Sequence, residues 1–214
     1  MFGQTIGRAI RKCLAEIEGQ FDSYQTVPRQ YQPVPNEGFE THVFPDASEK
    51  AIAAVAYLRS VGKECSTVGF VLEKSKVAPK SGLTIPRLEL CAAVLAVEVG
   101  EIVSEHLGVE MRQMTFYSDS RVVLGYLNNK SRRFYVYVQN IVYRILSSTS
   151  CQQWHYVTNE ENLANQGTRP MLPQDIQDSH RLNGPDLLTS GVIDQIPKEY
   201  KFSCKHTRMP IQWS

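Results

Sequence analysis

Asp46, Glu89 and Asp119 are the residues of this 214-residue chain whose types and placing suit joint chemistry. Asp46 closes an apolar run, FPDASEK at 44–50, and Asp119 closes a second, MTFYSD at 114–119. Glu89 lies in the opening turns of the amphipathic segment between them. If the two apolar runs are neighbouring strands, both Asp side chains emerge at one edge, where a helix packed across them can present Glu89. At about 4 Å, two carboxylates repel by on the order of 4 kcal/mol at an effective dielectric of 20, so such a cluster calls for cations. Hard divalent ions with oxygen ligands answer that need. Judged singly, each residue has an ordinary reading: Asp46 a turn former, Glu89 a solvated helix residue, Asp119 the N-cap of the next helix.

The elements that must position them can be read from periodicity. ETHVFPD, AIAAVAYLRS and STVGFVLEKSKVA are three strand-like segments with short joints, which predicts an antiparallel meander beginning near Phe39. A long helix follows over TIPRLELCAAVLAVEVGEIVSEHLG, with Thr84 at the N-cap, Pro86 in the first turn and Gly108 at the stop. Leu88, Ala92, Leu95, Val99 and Ile102 repeat by four and three along it. Next come the strand MTFYSD, a helix over RVVLGYL, and RRFYVYVQNIVYRIL, read as a third helix although its Val, Tyr and Ile content also suits a strand. CQQWHYVT is a last strand, and NEENLANQGTRP a loop toward a short final helix. This order predicts an α/β fold, a mixed five-stranded sheet with helices on both faces.

Outside that core, Phe2, Ile6, Ile10, Leu14, Ile17 and Phe21 form one apolar helical stripe, followed by a linker with three prolines. The predicted organisation is an N-terminal helix and linker at 1–38, one domain at 39–170, and an irregular tail at 171–214. Lys plus Arg number 23 against 22 for Asp plus Glu, so bulk charge selects no polyanion partner and any nucleic-acid contact must be local. The five cysteines are widely spaced with no CxxC pair, which excludes a zinc ribbon and fits a reducing compartment. No apolar run approaches the roughly 20 residues that span a bilayer, so the expectation is an intracellular protein, cytoplasmic or nuclear, with no membrane partner.

Four stretches carry a family resemblance: FPDASEKA at 44–51, KSKVAPKSGLTIPRLELCAAVLA at 74–96, YSDSRVVLGYLNNKSRRFYVYVQNIVYRI at 117–145 and WHYVTNEENLANQGTR at 154–169. With NGPDLL at 183–188, they resemble the ribonuclease H region of BEL/Pao-type retrotransposon pol polyproteins. The flanks resemble the end of a reverse transcriptase region and the stretch toward an integrase, so both polyprotein regions are implied partners. The resemblance implies a ribonuclease H-like fold and hydrolysis of the RNA strand of RNA·DNA hybrids with two Mg²⁺ ions, for which Mn²⁺ can substitute. It implies that Asp46, Glu89, Asp119 and the residue at 165 are the catalytic metal ligands. Asp46 would bridge the two ions, roughly 4 Å apart, and Glu89 and Asp119 would complete the ion that activates water.

Two departures stand out. The family's last motif resembles NPAD, and here NLANQG puts Asn165 at the position of its Asp. An amide oxygen brings no negative charge, so the second ion should be held more weakly and activity lowered. Glu160 or Glu161 could compensate if the loop folds inward. Pro45 falls inside an expected central strand, where it cannot donate a ladder bond.

Ser48, Lys76, Arg87, Ser120, Asn128, Asn129, Arg132 and Arg133 are the candidate nucleic-acid contacts, with Lys74, Lys80 and Lys130 in the same basic clusters. A hybrid is recognised by shape and 2′-hydroxyls, so salt-sensitive binding with little sequence preference is expected. No GxxxxGK[ST], GxSxG or HxxxH pattern is present, which excludes the corresponding ATPase, triad-hydrolase and zinc readings. His155 reads as structural. Three functions remain open: an impaired ribonuclease H, a catalytically inactive nucleic-acid-binding domain, and an element fragment without a cellular role.

Overall fold

The structure, a computed structural model, describes residues 38–61, 66–78, 83–129, 133–169, 182 and 184–190. The apolar-striped segment at 2–21, the linker, Lys80, Lys130 and Arg132 lie outside the described residues.

The first three strands form the expected meander: β1 (Gly38–Ala47), β2 (Ala51–Val61) and β3 (Ser66–Val77), each antiparallel to the next. The β1–β2 turn is organised by Ser48, whose hydroxyl oxygen accepts from the Lys50 and Ala51 amides at 3.2 and 3.1 Å. Helix α1 (Ile85–Leu107) starts with Pro86 in its first turn and ends on Gly108, whose φ of 69° is the left-handed stop that favours glycine. Strand β4 (Thr115–Ser118) then runs parallel to β1, and β5 (Trp154–Tyr156) parallel to β4, giving the order β3-β2-β1-β4-β5. Between them lie α2 (Arg121–Leu127) and α3 (Val136–Ser148). The β-prone sequence of α3 is helical because Val138, Val142 and Ile145 fall on one face and are buried there.

Alternation along the strands divides the core. Val43, Ala54, Ala56, Phe116 and Trp154 face α1, α2 and α3. Phe44, Val55, Tyr57 and Tyr117 face the other way, under the 3₁₀ turn Leu163–Thr168 and the short α4 (Asp186–Thr189). Phe44 and Tyr117 stack at 4.7 Å on that second face, directly across the β1–β4 joint. Leu187 and Leu188 are buried in the same cluster, so part of the segment expected to be an irregular tail belongs to the core and the folded unit runs past residue 170. Among the described residues no helix is long and apolar enough to cross a membrane.

Pro45 sits within central β1, paired with Ala54 of β2. In a strand, a residue's nitrogen and carbonyl point to the same side. The Pro45 carbonyl accepts from Asn162 Nδ2 at 2.9 Å, so its nitrogen also faces away from β2. On that side the β1–β4 ladder stops at Val43–Phe116, next to the position where Pro45 has no N–H to donate, and the pairing with β2 is left intact.

Candidate active site

The parallel pairing of β1 with β4 sets the geometry of the acidic residues. Val43 pairs with Phe116, and beyond that last pair Asp46 and Asp119 lie near enough for the charge of Asp46 to act on Asp119. Glu89 projects from the second turn of α1 toward α2, where Ser120 Oγ donates to its Oε2 at 2.5 Å. The ordinary readings of the two aspartates do not hold. Ser48 makes the turn after β1, and Ser120 caps α2, accepting from the Val123 amide at 3.2 Å. Neither Asp46 nor Asp119 is consumed by a local capping role.

Electrostatics ties the three together. Burial raises the Asp46 carboxyl above its usual range, against a hydrogen bond from Thr168, one from the Ala47 amide, and the charge of Arg169. Burial raises Glu89 too, countered by Ser120 and reinforced by the charges of Asp119 and Asp46. Asp119 is raised by burial and then by Asp46, with its own backbone amide and Asn162 lowering it. One buried and two half-buried carboxyls are thus each pushed toward the neutral form, chiefly by burial.

The donor set is entirely oxygen and therefore suits Mg²⁺. Among the described residues, however, no three His, Cys, Asp or Glu side chains already stand close enough together to hold a metal ion. Each of two carboxylates already has one oxygen engaged by a neutral hydroxyl: Ser120 Oγ donates to Glu89 Oε2, and Thr168 Oγ1 to Asp46 Oδ2 at 2.7 Å. The residues fit a hard divalent ion in the kind of donor they offer, and the charges of Asp119 and Asp46 both act on Glu89.

The last motif departs from expectation. Asn165 Nδ2 donates to the Asn159 carbonyl and to Asn159 Oδ1, at 3.1 and 2.6 Å, while its Oδ1 accepts from Arg169 at 3.4 Å. Its side-chain amide is thus engaged along the loop, while its backbone carbonyl lies 3.0 Å from the Thr168 hydroxyl that donates to Asp46. Glu160 and Glu161 are exposed, and Glu161 accepts from Thr158 at 3.2 Å, so neither folds inward as a substitute.

Two residues that sequence reasoning passed over, and not Asn165, bond to the aspartates. Asn162 is 1 % exposed and bonds to the Pro45 carbonyl, to the Ala164 amide at 3.3 Å and to Asp119. Thr168 is the partner of Asp46. The signal available was weak, since Asn and Thr beside a turn are ordinary turn formers.

The candidate nucleic-acid residues separate into two groups. Ser48, Ser120 and Asn128 have fold roles; Asn128 closes α2, donating to the Leu124 carbonyl at 2.9 Å. Asn129 is half-buried beside it. Arg87 lies over the Tyr137 ring at 5.5 Å, a cation–π contact that leaves its charge near the head of α1. Lys76 pairs with Glu98 at 2.8 Å on the surface, and Lys74 and Arg133 are exposed.

Comparison with solved structures finds similarity to RNase H1 from Halobacterium salinarum, at 14 % identity over 73 % of this chain and 98 % of that one, with a TM-score of 0.38. A second is the N-terminal RNase H domain of a Mycobacterium tuberculosis protein, at 8 % identity over 74 % and 99 %, TM-score 0.41. A third is LC11-RNase H1 in complex with an RNA/DNA hybrid, at 12 % identity over 60 % and 92 %, TM-score 0.36. No curated protein matches the chain. The model of one family, described as the Pao retrotransposon-like RNaseH-like domain, matches residues 3–120, a span that includes β1 to β4 and all three carboxylates. On that match, extending over more than half of its length, the chain belongs to the Pao retrotransposon-like RNaseH-like domain family.

Proposed function

We propose that this domain hydrolyses the RNA strand of RNA·DNA hybrids as a divalent-metal-dependent ribonuclease H, at a rate lowered by the amide at position 165. The observation that carries the reading is the parallel β1–β4 pairing, which brings Asp46 and Asp119 to one edge of the sheet beside Glu89, whose carboxyl is raised by burial and then by the charges of both. Asp46, Glu89 and Asp119 would hold Mg²⁺, or Mn²⁺ in its place. When bound, the metal supplies the Lewis acidity that makes water a nucleophile at neutral pH and steadies the leaving 3′ oxygen. Ser120 orients Glu89, and Asn162 and Thr168 orient the aspartates. Lys74, Lys76, Arg87 and Arg133 offer cations to the hybrid's phosphates, which makes binding salt-dependent and sequence-tolerant. Reverse transcriptase and integrase regions of a parent polyprotein are the proposed covalent neighbours, and the site of action is intracellular.

A second reading, a hybrid-binding domain without catalysis, is favoured by the Asn165 amide being turned onto Asn159. Cleavage of a labelled hybrid in Mg²⁺ and in Mn²⁺ separates the two, with the natural chain, Asn165→Asp and Asp119→Asn compared side by side. Cutting by the natural chain that Asp119→Asn abolishes supports the first reading. Cutting by Asn165→Asp alone supports the second. No cutting by any of the three, all folded, removes the nuclease reading.

A further inference from the structure

We infer that the turn from Asn162 to Thr168 is an uncharged strap whose two ends, Asn162 and Thr168, are positioning residues for the carboxylates of Asp119 and Asp46. The inference deepens the nuclease reading and rests on it.

The strap is built into the sheet's second face. Leu163 and Ala164 are buried in the core cluster, and Gly167 passes so close to β2 that an added Cβ would lie 2.7 Å from the Ala53 Cβ. Ser75 Oγ donates to the Gly167 carbonyl at 3.1 Å, and Ser48 Oγ lies 3.4 Å from the Thr168 carbonyl, so β3 and the β1–β2 turn both grip its far end. From this fixed base two neutral donors reach the site. Thr168 Oγ1 donates to Asp46 Oδ2 at 2.7 Å. The Asn162 amide donates one hydrogen to the Pro45 carbonyl, fills the gap where the β1–β4 ladder ends, and bonds to Asp119. A hydrogen bond that occupies one carboxylate oxygen fixes the rotamer and leaves the other oxygen directed at a cation. The segment that carries no acidic ligand thus orients two of the three acidic ligands.

The probe is Mn²⁺ alone, added to the full chain. Binding is followed by electron paramagnetic resonance of free Mn²⁺ and by melting temperature with and without the ion, for the natural chain, Thr168→Val, Thr168→Ala, Thr168→Ser and Asp46→Asn. Loss of the hydroxyl should weaken Mn²⁺ binding by about 10- to 100-fold, the range for partners of metal ligands, and Thr168→Ser should restore it. Melting temperatures in EDTA should stay close together across the Thr168 series, a pattern that a purely structural threonine does not give. Val and Ala variants that bind Mn²⁺ as the natural chain does would overturn the strap while leaving the nuclease reading intact. Weakening only in proportion to a lower melting temperature in EDTA, in both variants, overturns it as well. If the natural chain binds no Mn²⁺ and matches Asp46→Asn, the nuclease reading fails and the strap with it.

Discussion

Asp119→Asn should make the metal-free protein more stable. The Asp119 carboxylate gives the fold little, because Ser120 caps α2 and the hydrogen bond from Asn162 can be accepted by an amide oxygen in the same place. What the carboxylate adds is charge, facing Asp46 and within reach of Glu89. Two unit charges a few ångströms apart at an effective dielectric of 20 repel by on the order of 3 kcal/mol, before proton uptake and solvent reduce the figure. Exchanging a charge-assisted bond for a neutral one gives back about 1 kcal/mol. A net gain of about 1 kcal/mol remains, or about 2 to 4 °C for a chain of this size. Calorimetry near neutral pH in EDTA measures it directly. Added millimolar Mg²⁺ should then raise the natural chain's melting temperature by linkage and leave the variant unmoved. A variant that melts below the natural chain in EDTA would refute the reasoning, because the carboxylate would then be holding the fold together.

Three further outcomes follow from the packing and charge. Leu188→Ala should cost about 2 to 5 kcal/mol, seen as a lower urea midpoint, since Leu188 is fully buried on the second face; a neutral effect would return 184–190 to the status of a tail. Gly167→Ala should destabilise by about 1 to 3 kcal/mol, because its Cβ would press on the Ala53 side chain, and an unchanged melting temperature would mean the strap lies further from β2. The His155 pKa is lowered from 6.5, by burial first and then by the charge of His42. The unfolded chain therefore takes up the proton first, so the contribution of His155 is full above about pH 6.5 and is lost as pH falls toward the folded value. Melting temperature should drop between about pH 7 and 5, less steeply in His155→Gln; identical slopes would exclude His155 as the source.

Where sequence and structure agree, short-range physics is responsible. Pro86 and Gly108 mark the ends of α1 whatever it packs against, and the near-continuous apolar run of β2 reads as a strand because both of its faces are buried. The acidic trio was legible because each carboxylate follows or faces an apolar element, and the β1–β4 pairing supplies the neighbourhood on which the reading depended. The strap was not legible. Nothing in NLANQGT distinguishes a solvated turn from one pressed on Ala53, and the roles of Asn162 and Thr168 come from contacts with Pro45, Asp46 and Asp119, all distant in the chain. The buried pair Leu187 and Leu188 was hidden for a different reason: two apolar residues among Gly and Pro show no period, and only the exposed second face of the sheet explains them.

The amide at 165 is consistent with its own loop. Asn165 donates to two acceptors of Asn159, its carbonyl and its Oδ1. A carboxylate has no hydrogen to offer either, and would meet both as a repelling charge. Asparagine therefore suits a loop folded back on itself, whereas aspartate would be driven out of it and toward any cation between Asp46 and Asp119. Arg169, which already contacts Asn165 Oδ1 and lowers the Asp46 carboxyl, would compete for that charge. A single side chain thus sets two opposed preferences, a quiet loop with a three-carboxylate site or a strained loop with a fourth ligand. The natural sequence takes the first and leaves alignment of the site to Thr168 and Asn162.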